Sequence, residues 1–184
     1  MVKGYLALVL HAHLPFVRHP EHQYALEERW LYEAITECYL PLIWTFERLI
    51  SDGVKFRLTL SLSPPLLTML NDDFLRQRYI GHLNRLIELA DKEVHRTAGT
   101  PFAQPAQMYR ERFRRALNTF NAYGQNLITA FRSFQEAGRL EIITCAATHG
   151  YLPLLFVNPT AVEAQITVAI NLYRKHFGHN PPGF

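Results

Sequence analysis

The chain has 184 residues, which is long enough for one domain with a sizeable hydrophobic core. Its hydrophobic fraction of 48% is typical of a globular protein and excludes an intrinsically disordered chain. The formal net charge of +3 is small and the basic residues are dispersed, so we expect neither a nucleic acid nor a membrane as partner.

The sequence has neither a recognisable targeting signal nor a metal-binding cysteine pattern. No apolar stretch reaches the length that crosses a membrane, and the first residues lack the pattern of a signal peptide. We therefore expect a cytoplasmic location. Cys38 and Cys145 lie in apolar segments without metal-ligand spacing, so we expect both to be reduced thiols in the core.

An apolar segment over residues 5–13 predicts a buried first strand. His11 and His13 lie at its C-terminal end. Because side chains alternate along a strand, these two imidazoles are expected on the same face. Leu14 and Pro15 then end the strand. In proteins with parallel sheets, this end of the strand is where ligands bind.

The remainder of the chain alternates helical and strand patterns. Helical periodicity is found over 26–51, where Pro41 is expected to kink or divide the helix, and over 73–95, 106–137 and 160–177. Asp72 or Asp73 and Thr160 are the expected N-caps. Further strands are predicted over 56–62 and 140–146. This order predicts an α/β fold, with a parallel sheet of about three strands and flanking helices.

The three predicted strands place polar residues at the same edge of the sheet. His11 and His13 follow the first strand, Ser63 follows the second, and His149 follows the third. Since parallel strands direct their C-terminal ends the same way, these residues are expected to surround the mouth of one pocket.

Two functions compete for His11 and His13. Neutral imidazole is a common metal ligand, but a metal site needs a third ligand. His149, Glu141 and His19 are candidates for it, and no spacing selects among them. The imidazoles could instead exchange hydrogen bonds with a hydroxylated substrate.

Glu141 and Trp30 also have two interpretations each. Glu141 lies at the start of the third strand, away from the pocket, and is either a support for the site or a structural partner at the base of the fold. Trp30 lies near a helix start and is either a packed aromatic or a platform on which a sugar stacks. Carboxylates are absent from the predicted strand C-termini, although glycosidic cleavage usually needs two.

The motif His-Ala-His-Leu-Pro-Phe at 11–16 resembles the first signature of glycoside hydrolase family 57. The similarity covers the whole chain in order, through the segments 28–35, 61–66, 138–142 and 147–150. Taken together, these segments resemble the 1,4-α-glucan branching enzymes of that family.

The resemblance implies that residues 1–184 form the N-terminal part of a single catalytic (β/α)7 barrel. It also implies retaining transglycosylation, in which α-1,4-glucan acquires α-1,6 branches as in glycogen or starch-type metabolism, without a metal or cofactor. Family histidines matching His11 and His149 line the substrate subsite. The α-glucan is thus expected to contact the residues His11, His13, Trp30 and His149, supported by Glu141 and Ser63.

The chain departs from the family pattern in its carboxylates. The family nucleophile is a glutamate in a Trp-Leu-x-Glu motif after a segment similar to Pro182-Gly183-Phe184, and the acid aspartate lies farther downstream. Both are expected beyond residue 184, so no catalytic residue is assigned and the chain alone is expected to be inactive in cleavage. The alternatives are another amylase-type glycosidase or glucanotransferase of family 57, a glucan-binding module, a chain completed by the missing C-terminal part of the barrel, and a metal-dependent hydrolase resembling polysaccharide deacetylases.

Overall fold

The computed structural model describes residues 4–184. Three parallel strands, β1 (Val9–Ala12), β2 (Leu58–Leu62) and β3 (Leu140–Ile143), form one sheet in the order β1-β2-β3. The predicted α/β class, with about three parallel strands and flanking helices, is confirmed.

The helices of the described residues connect and flank these strands. Their bounds are α1 (Leu26–Ala34), α2 (Leu40–Ser51), α3 (Pro64–Leu70), α4 (Asp73–Arg96), α5 (Ala103–Ala122), α6 (Leu127–Glu136), α7 (Leu152–Leu155) and α8 (Pro159–Phe177). A π-helical segment, Ile35–Tyr39, separates α1 from α2, and Pro41 lies in the first turn of α2, so the predicted helix over 26–51 is divided just before Pro41.

The sheet has an apolar face and a polar face. Leu10, Leu60 and Ile142 are paired in register and therefore point to the same side, where Leu60 and Ile142 are fully buried in the core under the helices. The next register row, on the opposite face, begins with His11 and Ser61. The helices thus cover the apolar face, and the histidines extend from the other one.

β1 is shorter than predicted. Val9–Ala12 pair with β2, whereas Tyr5 and Leu6 are 96% and 91% exposed. The prediction of a buried strand over 5–13 is therefore wrong at its N-terminal half. The reason is tertiary, because β2 begins only at Leu58 and offers no partner to the earlier residues.

The predicted helix over 106–137 is two helices. Gly124 and Gln125 both have left-handed backbone conformations, with φ of 66° and 61°, which no α-helix contains. The chain turns there, and the side chain of Asn126 accepts a hydrogen bond from the backbone of Ile128 to start α6. The apolar stripe continues across the turn, and this continuity predicted one helix instead of two.

Of the predicted helix caps, one is confirmed and one is wrong. Asp72 accepts a hydrogen bond from the backbone of Leu75 at 2.9 Å and caps α4, as predicted. Thr160 is not the cap of α8, which begins at Pro159 after Asn158. Helices α3 and α7 lie in segments where no helix was predicted, because both are short and have prolines in their first turn.

Both cysteines are free thiols, but the prediction that they lie in the core is wrong. Cys38 is exposed and Cys145 is half-buried. Within residues 4–184, no helix combines the length and apolar character that crossing a bilayer requires.

Candidate functional site

The carboxyl ends of β1 and β3 bring three histidines into one cluster. The Nε2 atoms of His11 and His149 are 3.0 Å apart. The ring of His149 stacks on that of His13, with centroids 3.8 Å apart and planes inclined by 18°. The rings of His11 and His13 are themselves 6.1 Å apart and nearly parallel. We call His11, His13 and His149 the histidine cluster.

Ser63, at the end of β2, holds one ring of the cluster. Its side chain is fully buried, and its hydroxyl lies 2.9 Å from Nδ1 of His13. The backbone N–H of Ser63 donates to the carbonyl of Ala12, which ties the two strand ends together. A hydrogen bond at Nδ1 orients the imidazole and leaves Nε2 as the ring atom available to a ligand.

The loop after β3 places His149 by an unusual backbone conformation. His149 has a φ of 57°, in the left-handed region that residues other than glycine seldom adopt. Gln165 of α8 holds the two residues before it. Its side-chain Oε1 accepts from the N–H of Thr148, and its Nε2 donates to the Thr148 hydroxyl, both at 2.8 Å. Its backbone carbonyl accepts from the N–H of Ala147. These contacts maintain a conformation that costs free energy.

The electrostatics of the site favour uncharged rings at His11 and His13. Burial lowers the pKa of His11 and of His13, and the neighbouring His149 lowers it further in both. Since the ordinary histidine pKa is about 6.5, His11 and His13 are neutral at neutral pH. A neutral imidazole both donates and accepts a hydrogen bond, which suits hydroxyl groups.

His149 lines two cavities. The first cavity has a volume of ≈ 570 Å³ and is also lined by His13 and Phe16. The second has a volume of ≈ 420 Å³ and is also lined by Tyr151 and Phe184. Among the described residues, no aspartate or glutamate lines either cavity. Phe16 and Tyr151 are 56% and 68% exposed, so their ring faces are available to an apolar surface.

Sequence reasoning missed Phe16, Tyr151 and Gln165. The two aromatic residues had a usable signal, because each follows a strand-end histidine by two or three positions. Gln165 had none, because its contacts join α8 to a loop that precedes it by 17 residues.

Trp30 and Glu141 are not brought to the histidine cluster. Trp30 is 47% exposed on α1 and lines neither of the two cavities. Glu141 lies near the start of β3 and accepts a hydrogen bond from Arg57 at 3.0 Å, which favours the structural interpretation. His19, the remaining candidate for a third metal ligand, contacts Glu21.

A metal site at the histidine cluster would need at least three ligands arranged around one ion. Across residues 4–184, no group of three or more His, Cys, Asp or Glu side chains is arranged to hold a metal ion. What the site offers is neutral imidazoles beside exposed aromatic rings, an arrangement that can bind a neutral, hydroxyl-rich ligand with an apolar face.

Among the curated proteins that the chain resembles are branching enzymes from an archaeon and a bacterium. The chain is 36% identical over 182 residues to a 1,4-alpha-glucan branching enzyme of Thermococcus kodakarensis, covering 99% of this chain and 26% of that protein. It is 26% identical over 196 residues to a probable 1,4-alpha-glucan branching enzyme of Mycobacterium tuberculosis, covering 37% of that protein. The chain thus spans only a part of the length of the relatives it matches.

Solved structures give the same family and the same partial coverage. The α-amylase AmyC of Thermotoga maritima superposes with a TM-score of 0.92 and 48% identity, over 99% of this chain and 35% of that one. The family 57 branching enzyme of Pyrococcus horikoshii superposes with a TM-score of 0.91 and 34% identity, over 34% of its chain. The three strands correspond to the N-terminal part of the barrel in these structures. The family model of glycosyl hydrolase family 57 matches residues 7–184, nearly the whole chain, and the chain therefore belongs to that family.

Proposed function

We propose that this chain forms one wall of the glucan-binding subsite in a 1,4-α-glucan branching enzyme. Residues 1–184 would be the N-terminal part of its single catalytic barrel domain. The observation that carries the proposal is the histidine cluster, held by Ser63 and Gln165 at the carboxyl edge of the sheet. The similarity to the branching enzymes of Thermococcus and Pyrococcus over 99% of this chain supports the choice of reaction.

The proposed chemistry is binding and orientation of the sugar. His11 and His149 exchange hydrogen bonds with glucose hydroxyls, and His13 does so through the ring nitrogen that Ser63 leaves free. Phe16 and Tyr151 offer flat apolar surfaces to the C–H face of a pyranose ring. Such contacts fix a glucose unit in one orientation, which is the part of catalysis that this wall contributes.

Bond cleavage needs further groups. A retaining glycosidase uses one carboxylate as nucleophile and a second as acid, about 5–5.5 Å apart. Since no aspartate or glutamate of the described residues lines the cavities beside His149, the histidine wall holds the glucan and does not cleave it. The 184-residue chain is thus proposed to bind α-glucan without turnover.

A second candidate, an α-amylase-type glycosidase, is favoured by one observation. The identity to the α-amylase of Thermotoga maritima is 48%, above the 34% to the Pyrococcus branching enzyme. Both activities cleave an α-1,4 bond, and they differ in whether water or a glucan 6-hydroxyl accepts the sugar. Amylose treated with an active protein that contains this chain gains α-1,6 linkages under the first proposal. Under the second, it gains only reducing ends.

Calorimetric titration of the chain with maltopentaose tests the binding proposal. We expect binding in the millimolar range that His11→Ala and His149→Ala each weaken by about tenfold, as expected for the loss of a hydrogen-bonding partner. The matched control is His95→Ala, because His95 is exposed on α4 and lies outside the histidine cluster. Unaltered affinity in the two cluster variants, or no binding at all, contradicts the proposal.

The proposed activity belongs to glycogen or starch-type metabolism, and we propose that it takes place in the cytoplasm. Fractionation of cells that express the protein, with detection by an antibody, tests the location. Recovery in a membrane or secreted fraction would exclude it.

A further inference from the structure

A separate cavity of ≈ 670 Å³ lies between the start of α1 and the middle of α4. Tyr24, Arg78, His82 and Arg85 are among its lining residues, and it shares no lining residue with the two cavities beside the histidine cluster. Its volume is in the range of small-molecule sites, which is about 300–1,000 Å³. We call it the α1/α4 cavity.

The floor of the α1/α4 cavity is a buried, neutralised ion pair. Glu28 is only 2% exposed, and its carboxylate accepts from Arg78 at 2.6 Å, from the Tyr32 hydroxyl at 2.9 Å and from the His19 backbone at 2.8 Å. Arg78 also donates to the backbone carbonyls of His19 and His22. The charges of Glu28 and Arg78 therefore cancel, and the pair holds the loop that leads from β1 to α1.

The mouth of the cavity has a positive charge left over. Arg29 is paired with Glu33 at 3.3 Å, whereas Arg85 forms no ion pair with any residue in the range 4–184. The Arg85 guanidinium instead lies 5.1 Å from the centroid of the Tyr24 ring. The charges of the Glu28–Arg78 and Arg29–Glu33 pairs cancel, so Arg85 is the surplus positive charge at this cavity. Its guanidinium lies over the aromatic face of Tyr24.

His82 adds a polar group to the lining of this cavity. Burial lowers the pKa of His82, and the charges of Arg85 and Arg29 lower it further. The imidazole is therefore uncharged at neutral pH and able to donate or accept one hydrogen bond from a hydroxyl group. A ligand here meets a cation, a neutral imidazole and the aromatic ring of Tyr24.

We propose that the α1/α4 cavity binds a phosphorylated ring compound, in which a phosphate monoester is attached to a sugar or a nucleoside. The planar guanidinium of Arg85 matches two phosphate oxygens, which is the geometry of strong arginine–phosphate pairs. The ring then lies between Tyr24 and the apolar wall that Leu86 and Leu89 provide. A neutral glucan has no group that pairs with Arg85. This site does not depend on the proposed glucan function.

Calorimetric titration with four probes tests the proposal on the 184-residue chain. The probes are glucose 6-phosphate, adenosine monophosphate, inorganic phosphate and maltotriose. We expect at least one of the two phosphorylated ring compounds to bind, more tightly than inorganic phosphate, with the preferred one identifying the source. Arg85→Gln should weaken that binding by about tenfold or more, because a charge-assisted hydrogen bond is lost.

Two controls separate the site from general charge and from the histidine cluster. Arg115→Gln removes an arginine that, like Arg85, is exposed and lies over an aromatic ring, in this case Trp44, and it should leave the affinity unchanged. His11→Ala should also leave it unchanged, while it weakens maltopentaose binding. Arg85 and Tyr24 are exposed, so the Arg85→Gln and Tyr24→Leu variants should both fold. Tyr24→Leu should weaken the binding of the two phosphorylated ring compounds and leave the binding of inorganic phosphate unchanged.

Several results would overturn the proposal. The proposal fails if neither phosphorylated ring compound binds at millimolar concentration, if Arg85→Gln and Arg115→Gln have equal affinities, or if maltotriose binds in a way that depends on Arg85. Loss of phosphate-ester binding in His11→Ala would show that the ligand occupies the histidine cluster instead.

Discussion

Gln165 contacts Thr148 and Ala147, the two residues before His149, and we expect these contacts to position His149. The side chain of Gln165 supplies one acceptor and one donor to Thr148, and each hydrogen bond contributes about 0.5–1.5 kcal/mol net. The left-handed backbone of His149 costs about 1–3 kcal/mol. Because the two contributions are of the same size, removing the side-chain contacts of Gln165 should release the loop.

The substitution Gln165→Leu tests this reasoning. If the substitution removes about 1–2 kcal/mol of stabilisation, the loop conformation that binds glucan becomes a minor one. Maltopentaose should then bind about 5- to 30-fold more weakly. Gln165→Glu should retain most of the affinity, since a carboxylate accepts from both the N–H and the hydroxyl of Thr148. The matched control is Gln107→Leu on α5, where the glutamine side chain contacts the exposed Glu111.

Calorimetry gives the affinity of each variant, and thermal unfolding shows whether the fold is intact. Wild-type affinity in Gln165→Leu would refute the claim that Gln165 positions His149. Equal losses in Gln165→Leu and Gln165→Glu would also refute it, because only the first removes the hydrogen bonds to Thr148.

Three further predictions concern stability and pH. Glu28→Leu leaves the Arg78 charge without its buried partner and should lower the free energy of unfolding by about 3–5 kcal/mol in urea denaturation; a loss under 1 kcal/mol would contradict this. Because folding lowers the pKa of His11 and His13, the unfolded chain binds protons more readily than the folded one. The free energy of unfolding should therefore be highest above about pH 6.5 and fall on acidification. The fall should be smaller in a chain with both residues changed to asparagine. Tyr79→Phe removes a hydroxyl bonded in the core and should cost about 0.5–1.5 kcal/mol, with a gain in stability as the opposing result.

Much of the fold could be predicted because its main determinants are local. The alternation of apolar strand patterns with helical periodicity identified the three strands and their parallel arrangement. Strand ends are less local, as the first strand shows. Tyr5 and Leu6 have the composition of a strand, but β2 offers them no partner and they remain exposed. The turn at Gly124 and Gln125 was missed because the apolar stripe continues on both sides of it.

The candidate site separates residues that topology determines from residues that only packing determines. Once three parallel strands are assumed, His11, His13, Ser63 and His149 must share one edge, and the structure brings them into contact. No pattern in the sequence indicates that Trp30 lies outside the two cavities at this edge, because that depends on how α1 packs.

The two faces of the sheet suggest how stability and binding are divided in this chain. Leu60 lies in the same strand as Ser61, but its side chain is buried under the helices, whereas Ser61 and His11 lie on the opposite face. Loss of packing at Leu60 should therefore reduce stability by about 2–5 kcal/mol in Leu60→Ala and leave the affinity of the folded fraction for glucan unchanged. His11→Ala should have the reverse effect, because its imidazole contacts His149 and contributes little to the core. Denaturation and calorimetry on the two variants measure both quantities. If Leu60→Ala weakened binding as much as His11→Ala did, the two faces would be coupled and the histidine cluster would depend on the packing of the whole sheet.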